Sequence, residues 1–193
     1  LLPFTADQDY FCVGDTIVYV DGPYLTCIDA SLNEKWKLLM WDSGLDYAAS
    51  DDMIVATSGS TIQVIDENKE LLFYGQIPEG IIRSACAGKD KFAVSVDQPL
   101  TDSTLSYIEV FNTAGDMIYQ LDVSERNILD YGFDAESDEL YILELNVGGV
   151  VPVSRICTYR PETQSMTGIN DLKDQLVSRV YLTGDRIYAM GTD

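Results

Sequence analysis

The chain repeats one β-rich unit along its length. An aspartate precedes a run of apolar and β-branched residues five times, and successive copies lie 37, 38, 48 and 47 residues apart. These aspartates are Asp15, Asp52, Asp90, Asp138 and Asp185. The stretch LLPFTADQDYFCVGD (1–15) has a second copy in LLMWDSGLDYAASDD (38–52), where Leu-Leu, an aromatic residue, Asp-Tyr and a last Asp follow in the same order. A period of about 40 residues restricts the chain to a repeat architecture.

Short strands make up each unit. The apolar runs are rich in Val, Ile, Tyr, Phe and Thr and alternate with period two, as in TIQVIDENKELLFY (61–74). The polar stretches DASLNEK, DENKE and NTAGD lie between two such runs and are turn-forming, which predicts hairpins. Four short strands in a period of about 40 residues are typical of propeller blades. We therefore predict an all-β fold, a β-propeller.

The strand pattern predicts four complete four-stranded blades and partial blades at both ends. The complete blades are residues 9–41, 46–75, 83–121 and 130–168, and the partial ones are 1–4 and 178–193. Residues 1–193 then form either a single propeller domain or a segment of a larger propeller. An unpaired strand edge favours aggregation, so we expect remaining blades or a second chain to cover it.

Three hairpins carry a resemblance to a known family. IDASLNEKWKL, VIDENKELLFY and VFNTAGDMIYQL resemble the quinoprotein-type (PQQ-like) propeller repeat, in which a strand ends in an acid and a turn leads to an apolar strand with an aromatic residue. Trp36, Phe73 and Tyr119 lie near the position of that aromatic residue, although they are not in perfect register with it. The superfamily includes quinone-dependent dehydrogenases with a vicinal Cys pair and cofactor-free bacterial envelope propellers. Because this chain has no such pair, the resemblance implies a cofactor-free protein, extracellular or in the cell envelope.

Composition excludes several functions. The 32 Asp and Glu against 12 Lys and Arg give a net charge of −20, which repels nucleic acid and anionic membranes. No apolar run approaches the ~18 residues of a membrane span, and no signal-peptide pattern is present. The absence of histidine removes the usual general base and the commonest metal ligand, so we predict no catalytic or metal site.

The four scattered cysteines predict free buried thiols, with a Cys12–Cys27 disulfide as the alternative.

The most promising binding surface is the rim where each innermost strand begins. In a propeller this rim also carries the connections between second and third strands, which are long at residues 97–104 and 146–153. Asp-Tyr pairs recur at the rim and suggest an acidic, aromatic mouth for a protein or carbohydrate ligand; alternatively, Tyr packs between blades while Asp caps a turn. The candidate residues are Asp9, Tyr10, Asp46, Tyr47, Arg83, Asp130, Tyr131 and Arg179.

These features favour a non-catalytic binding or scaffold propeller of the bacterial cell surface or envelope. The alternative is a glycoside hydrolase or lyase that uses two rim carboxylates from Asp9, Asp46 and Asp130. The environment of these three carboxylates distinguishes the alternatives, since a carboxylate bonded to backbone amides is not free for catalysis.

Overall fold

The computed structural model describes residues 5, 8–149, 151–172, 176–184 and 186–191, and all of their regular secondary structure is strand apart from one 3-10 turn, Pro161–Thr163. Blade 1 holds β1 (Tyr10–Val13), β2 (Thr16–Asp21), β3 (Tyr24–Ile28) and β4 (Glu34–Leu39). Blade 2 holds β5 (Asp46–Ala49), β6 (Met53–Ser58), β7 (Thr61–Asp66) and β8 (Leu71–Gln76). Blade 3 holds β9 (Ile81–Ala87), β10 (Lys91–Pro99), β11 (Thr104–Asn112) and β12 (Met117–Asp122). Blade 4 holds β13 (Ile128–Phe133), β14 (Leu140–Asn146), β15 (Val153–Arg160) and β16 (Ser165–Leu172), and a fifth, partial blade holds β17 (Val177–Thr183) and β18 (Arg186–Gly191).

Each blade is an antiparallel meander, and the prediction of an all-β fold with four four-stranded blades and a partial one is confirmed. The expected partial blade at residues 1–4, and Asp185 of the repeat, lie outside the described residues. Within those residues, no helix is long and apolar enough to cross a membrane.

The first strands of successive blades line the axis. β1 contacts β5, β5 contacts β9, β9 contacts β13 and β13 contacts β17. All five line one cavity of about 240 Å³ at the end opposite to the start of these strands. Among its lining residues are Cys12, Ala49, Ala87, Phe133 and Tyr181. All four cysteines are free thiols, so the alternative of a Cys12–Cys27 disulfide is wrong. Cys27 and Cys157 are buried as expected, whereas Cys12 is exposed and Cys86 is partly buried, because both lie on first strands beside the open channel.

A shared turn closes the outer hairpin of blades 1 to 3. In each turn the side-chain oxygen of the last residue of the third strand, or of the residue after it, accepts hydrogen bonds from the backbone N–H groups two and four residues ahead. These residues are Asp29, Asp66 and Asn112. Three residues after each of them the backbone adopts a positive φ, at Leu32, Lys69 and Gly115. The strand-ending acid of the predicted repeat is therefore a turn cap.

A β-bulge recurs in the outer strand of all four complete blades. One extra residue, in turn Lys35, Leu72, Ile118 and Thr167, enters the fourth strand at the same place. The residues after the bulge, Trp36, Phe73 and Tyr119, then pair with equivalent positions of the third strand, so their registers agree. Gly168 takes that place in blade 4.

The aromatic residue after each bulge packs against the next blade. The Trp36 indole N–H donates to the Glu67 carbonyl in the outer turn of blade 2 at 2.9 Å. The Phe73 ring stacks on Phe92 of blade 3, and a Cβ on Gly115 would lie 2.0 Å from it. Outer hairpins thus interlock from blade to blade, and a small residue at Gly115 makes room for the ring.

A buried cation joins blades 3 and 4. Lys91, at the start of β10, is 7% exposed, and its ammonium forms ion pairs with Asp138 at 3.2 Å, with Glu162 and with Asp90. The Asp138 carboxylate also accepts the Lys89 backbone N–H at 3.0 Å. Burial raises the pKa of Asp138, because the charged carboxylate loses water.

Candidate functional site

Five of the eight predicted rim residues line one cavity where the first three inner strands begin. This mouth cavity measures about 440 Å³. Among its lining residues are Asp9, Tyr10, Asp46, Tyr47 and Arg83. The pattern of Asp-Tyr at the start of β1 and β5 therefore places two carboxylates and two phenol rings around one space.

The carboxylates of Asp9 and Asp46 are exposed. Among the described residues, neither has a hydrogen-bond or ion-pair partner, so neither charge is neutralised within the fold. The Tyr10 ring is 59% exposed, and the half-buried Tyr47 ring lies 6.0 Å from Phe11 between their centroids. Burial, with the nearby charges of Asp42 and Asp9, raises the pKa of Tyr47 to about 12. The cavity is thus acidic and aromatic.

Arg83, which also lines the cavity, is paired within its own blade. A β-bulge makes it the extra residue of β9, and its guanidinium donates to the Asp97 carboxylate at 2.7 Å. Asp97 also accepts the Ser106 hydroxyl at 2.7 Å. The Ser106 hydrogen bond and the Arg83 charge lower the pKa of Asp97, which favours its charged form. Arg83 is therefore paired with Asp97 of its own blade and not with the rim acids Asp9 and Asp46.

The remaining three rim residues, Asp130, Tyr131 and Arg179, line a neighbouring cavity of about 400 Å³. Both cavities share Ser84 and Ala85 of β9, so all eight predicted residues lie at one end of the axis.

Asp130 and Tyr131 serve to join blades. The Asp130 carboxylate accepts the backbone N–H groups of Tyr131 and Val180, each at 3.0 Å, and so ties blade 4 to blade 5. The Tyr131 hydroxyl accepts the Ser95 backbone N–H at 2.9 Å and lies 3.0 Å from the Ser84 hydroxyl, both in blade 3. Burial raises the pKa of the Tyr131 phenol. At this position Tyr packs between blades and Asp bonds to backbone amides, as the structural alternative predicted.

Strand pairing shows which residues of the other blades are equivalent to the rim aspartates. Cross-strand pairing aligns Asp9, Asp46 and Asp130 with Ser84 and Arg179, not with Arg83 and Ser178. Sequence spacing gives the same alignment, because Ser84 and Arg179 lie six residues before Asp90 and Asp185, as Asp9 and Asp46 lie six residues before Asp15 and Asp52. The bulges of β9 and β17 add Arg83 and Ser178 before these positions and do not shift them. The acid of blades 1, 2 and 4 is thus replaced by serine in blade 3 and arginine in the partial blade.

Residues 97–104 are not a long loop, which corrects the prediction. β10 continues to Pro99 and β11 begins at Thr104, so the connection is residues 100–103 at the tip of an extended hairpin. The polar residues DQP (97–99) and Thr104 of this hairpin lack the alternation of apolar and polar residues that indicates a strand in the sequence. The connection after β14 is a loop from Val147 to Pro152, of which residue 150 is outside the described part.

The candidate residues predicted from the sequence did not include Phe11, Ser84 or Asp97. Phe11 and Ser84 line the mouth cavity, and Asp97 forms an ion pair with Arg83, which also lines it. Phe11 could have been identified from its position directly after Tyr10. No feature of the sequence points to Asp97, because it faces Arg83 only through strand pairing. In the part of the chain that the structure describes, no three His, Cys, Asp or Glu side chains are grouped to hold a metal ion.

No protein-family model matches the chain, and no curated protein sequence matches it. Its fold is similar to solved structures. The WD40 domain of Neurospora crassa Pan2 has a TM-score of 0.54 and 6% identity over 90% of this chain and 50% of that one. HIRA(644–1017) has a TM-score of 0.57 and 12% identity, over 90% and 56%. BBS1N, solved in complex with ARL6DN, has a TM-score of 0.52 and 14% identity, over 98% and 60%.

These likenesses show the β-propeller fold alone. This chain spans about half to three fifths of the length of the three structures. The resemblance of the hairpins to the quinoprotein-type repeat stays a prediction.

Proposed function

We propose that this chain is a non-catalytic binding propeller whose mouth cavity receives a cationic side chain, lysine or arginine, of a protein partner. The observation that carries the proposal is the pair of carboxylates of Asp9 and Asp46, which have no partner among the described residues and lie beside the rings of Tyr10, Phe11 and Tyr47. An ammonium or guanidinium group gains Coulomb attraction from the carboxylates and a cation–π contact from a ring.

A protein partner fits this proposal better than a nucleic acid does. The net charge of −20 attracts basic segments and repels phosphates. BBS1N, of similar fold, was solved in complex with another protein, which supports the use of this fold as a scaffold. The likeness of three hairpins to quinoprotein-type repeats supports a place at the bacterial cell surface or envelope.

A basic peptide tests the proposal directly. The probe is acetylated tetralysine, and its affinity is measured by calorimetry at 20 and 200 mM NaCl. The double variant Asp9→Asn/Asp46→Asn keeps the shape of the cavity and removes both charges. Each exposed ion pair contributes ~0.2–1 kcal/mol, so we expect binding to weaken about tenfold and its salt dependence to fall.

The matched control is Asp15→Asn/Glu70→Gln, which changes the net charge equally at exposed carboxylates that do not line the cavity. An equal loss of affinity in both double variants would mean that tetralysine follows net charge and not the mouth, which contradicts the proposal.

A second candidate function is carboxylate-based glycoside hydrolysis, which the shared cavity of Asp9 and Asp46 favours. Against it, no hydrogen bond among the described residues fixes either carboxylate, whereas a catalytic acid needs a held geometry. The assay is the release of nitrophenol from chromogenic glycosides. Activity in the unchanged protein that is lost in Asp9→Asn and in Asp46→Asn would favour glycoside hydrolysis over binding.

A further inference from the structure

A further cavity opens between blades 2 and 3. This interblade cavity measures about 380 Å³, a volume within the range of small-molecule sites. One wall is the connection from β8 to β9 at residues 77–79, and the other is formed by β10, β11 and β12 of blade 3. Because second to fourth strands of blade 3 line it, it lies further from the axis than the mouth cavity. Among the described residues, the two cavities share none of their lining.

The long hairpin of blade 3 contributes to this cavity. β10 and β11 have nine residues each, whereas β6 and β7 of blade 2 have six. The outer turns of the two blades begin at the equivalent residues Asp66 and Asn112, so the extra length lies at the end that carries the mouth. Gln98 lies in this extension, on the face of β10 that packs Val94 and Val96 against blade 2. The extension leaves part of this face without a neighbouring strand of blade 2.

Two aromatic rings fill the equivalent place between blades 1 and 2. The residue before Trp41 and the residue before Pro78 each donate a backbone hydrogen bond of 2.8 Å to the residue before the third strand, so Trp41 corresponds to Pro78. Tyr74 and Gln120 are both the second residue after the bulge of the outer strand. The rings of Trp41 and Tyr74 meet edge to face, with 6.2 Å between their centroids. Pro78 and Gln120 have no rings to fill this place, and the space between blades 2 and 3 stays open.

Two amide–carboxylate pairs supply the polar groups of the interblade cavity. Gln98 Nε2 donates to Glu79 Oε2 at 2.9 Å, and Gln120 Nε2 donates to Glu109 Oε1 at 2.8 Å. Among the described residues, each pair leaves one amide N–H, the amide oxygen and one carboxylate oxygen without a partner. The hydroxyl of the half-buried Tyr107 has no hydrogen-bond partner there either. Donors and acceptors therefore face one space together.

The wall at residues 77–79 is held in place by blade 2 and blade 3. The backbone N–H groups of Ile77 and Ile82 each donate to a carbonyl of the turn between β6 and β7 at 2.8 Å. Gly80 lets the connection approach β10 closely, since a Cβ there would lie 2.2 Å from the Val96 side chain. A wall that is already fixed loses little conformational entropy when a ligand binds.

We propose that the interblade cavity binds a neutral saccharide. A sugar hydroxyl both donates and accepts hydrogen bonds, which suits the mixed groups of the two amide–carboxylate pairs, while the apolar face of a sugar ring packs on Tyr107 and Pro78. The charges of Glu79 and Glu109 repel an anionic sugar. A lysine or arginine side chain fits less well, because it has no acceptor for the free amide N–H groups. This inference does not depend on the function of the mouth cavity.

Four methyl glycosides test the inference, those of glucose, galactose, mannose and N-acetylglucosamine. Each is titrated into the ¹⁵N-labelled protein to about 50 mM, well above a millimolar dissociation constant. We expect at least one of them to cause saturable amide shifts at residues 96–98, 107–109 and 120. The absence of saturable shifts with all four, or saturable shifts only elsewhere in the protein, would overturn the inference.

Filling the cavity gives the sharpest variant. Pro78→Trp/Gln120→Tyr copies the ring pair of Trp41 and Tyr74 at two exposed positions, and we expect saccharide binding to be lost. Met117→Tyr adds the same ring at an exposed residue of β12 that does not line the cavity, so the affinity should stay unchanged. Binding that survives in the filled variant contradicts the proposed location.

Removing one carboxylate tests the hydrogen bonds. Glu109→Gln keeps the shape of the side chain and replaces a charged acceptor by a neutral one, so we expect binding to weaken about tenfold. Its control is Glu34→Gln, the same charge change at an exposed residue outside the cavity. Equal affinities of these two variants would overturn the inference. So would a titration in which tetralysine shifts residues 107–109 and the four glycosides do not, because the cavity would then be a cation site.

Discussion

Replacing Tyr131 by phenylalanine tests whether this rim residue joins blades or contributes to ligand binding. Its hydroxyl accepts the Ser95 backbone N–H at 2.9 Å, next to the bulge that shifts the pairing of β9 and β10. Phenylalanine leaves that N–H between two blades without a partner, and a buried unsatisfied donor costs ~1–3 kcal/mol. For a chain of this size we expect the melting temperature to fall by about 2–12 °C.

Tyr47→Phe is the matched control, because it removes the same atom from a half-buried tyrosine of another blade. The Tyr47 hydroxyl has no hydrogen-bond partner among the described residues, so we expect a change below ~0.5 kcal/mol. Urea unfolding followed by fluorescence of Trp36 and Trp41 gives both free energies of unfolding. Equal stability of the two variants would refute the assignment of Tyr131 as a blade-joining residue, and loss of tetralysine binding in Tyr131→Phe alone would assign it to the ligand.

Two further substitutions address the blade interfaces. Gly115→Ala places a Cβ 2.0 Å from Phe73 in a backbone with φ of +86°, and we expect a loss of at least ~2 kcal/mol in thermal or urea unfolding. Phe73→Leu should relieve the part of this loss that comes from the steric clash and leave the part that comes from the positive φ. Lys91→Met removes the cation beside Asp138, and we expect a loss of about 3–5 kcal/mol at pH 7. Burial already raises the pKa of Asp138, so protonation of Asp138 favours the folded state. The difference in unfolding free energy between Lys91→Met and the unchanged protein should therefore shrink as the pH falls from 7 towards 5. A difference that stays constant with pH would contradict the role of Lys91 as the counter-charge of Asp138.

The strands and their repetition could be predicted from the sequence, because period-two alternation and turn-forming residues are local. Asp29, Asp66 and Asn112 cap turns whose donors lie two and four residues away, so their role is contained in a short stretch. Trp36, Phe73 and Tyr119 each lie seven residues after the turn-capping residue Asp29, Asp66 or Asn112, so their shared register is contained in the spacing. The bulge before each of them is not, because a bulge is defined by the partner strand.

The rim shows the same limit at the level of function. Asp46-Tyr47 and Asp130-Tyr131 are identical dipeptides at equivalent positions, yet the first lines an open cavity and the second joins blades. The difference comes from other blades: a bulge in blade 3 frees the Ser95 N–H, and blade 5 brings the Val180 N–H to Asp130. No residue near Asp130 in the sequence carries this information.

The departures from the repeat concentrate where blade 4 faces the partial blade. In blades 1 to 3, the outer strands present Trp36, Phe73 and Tyr119 to the next blade. Blade 4 has Gly168 at the same place, so this position contributes no side chain to the interface with the partial blade, which is formed by Leu143 and Ile156 against Val177, Val180 and Leu182.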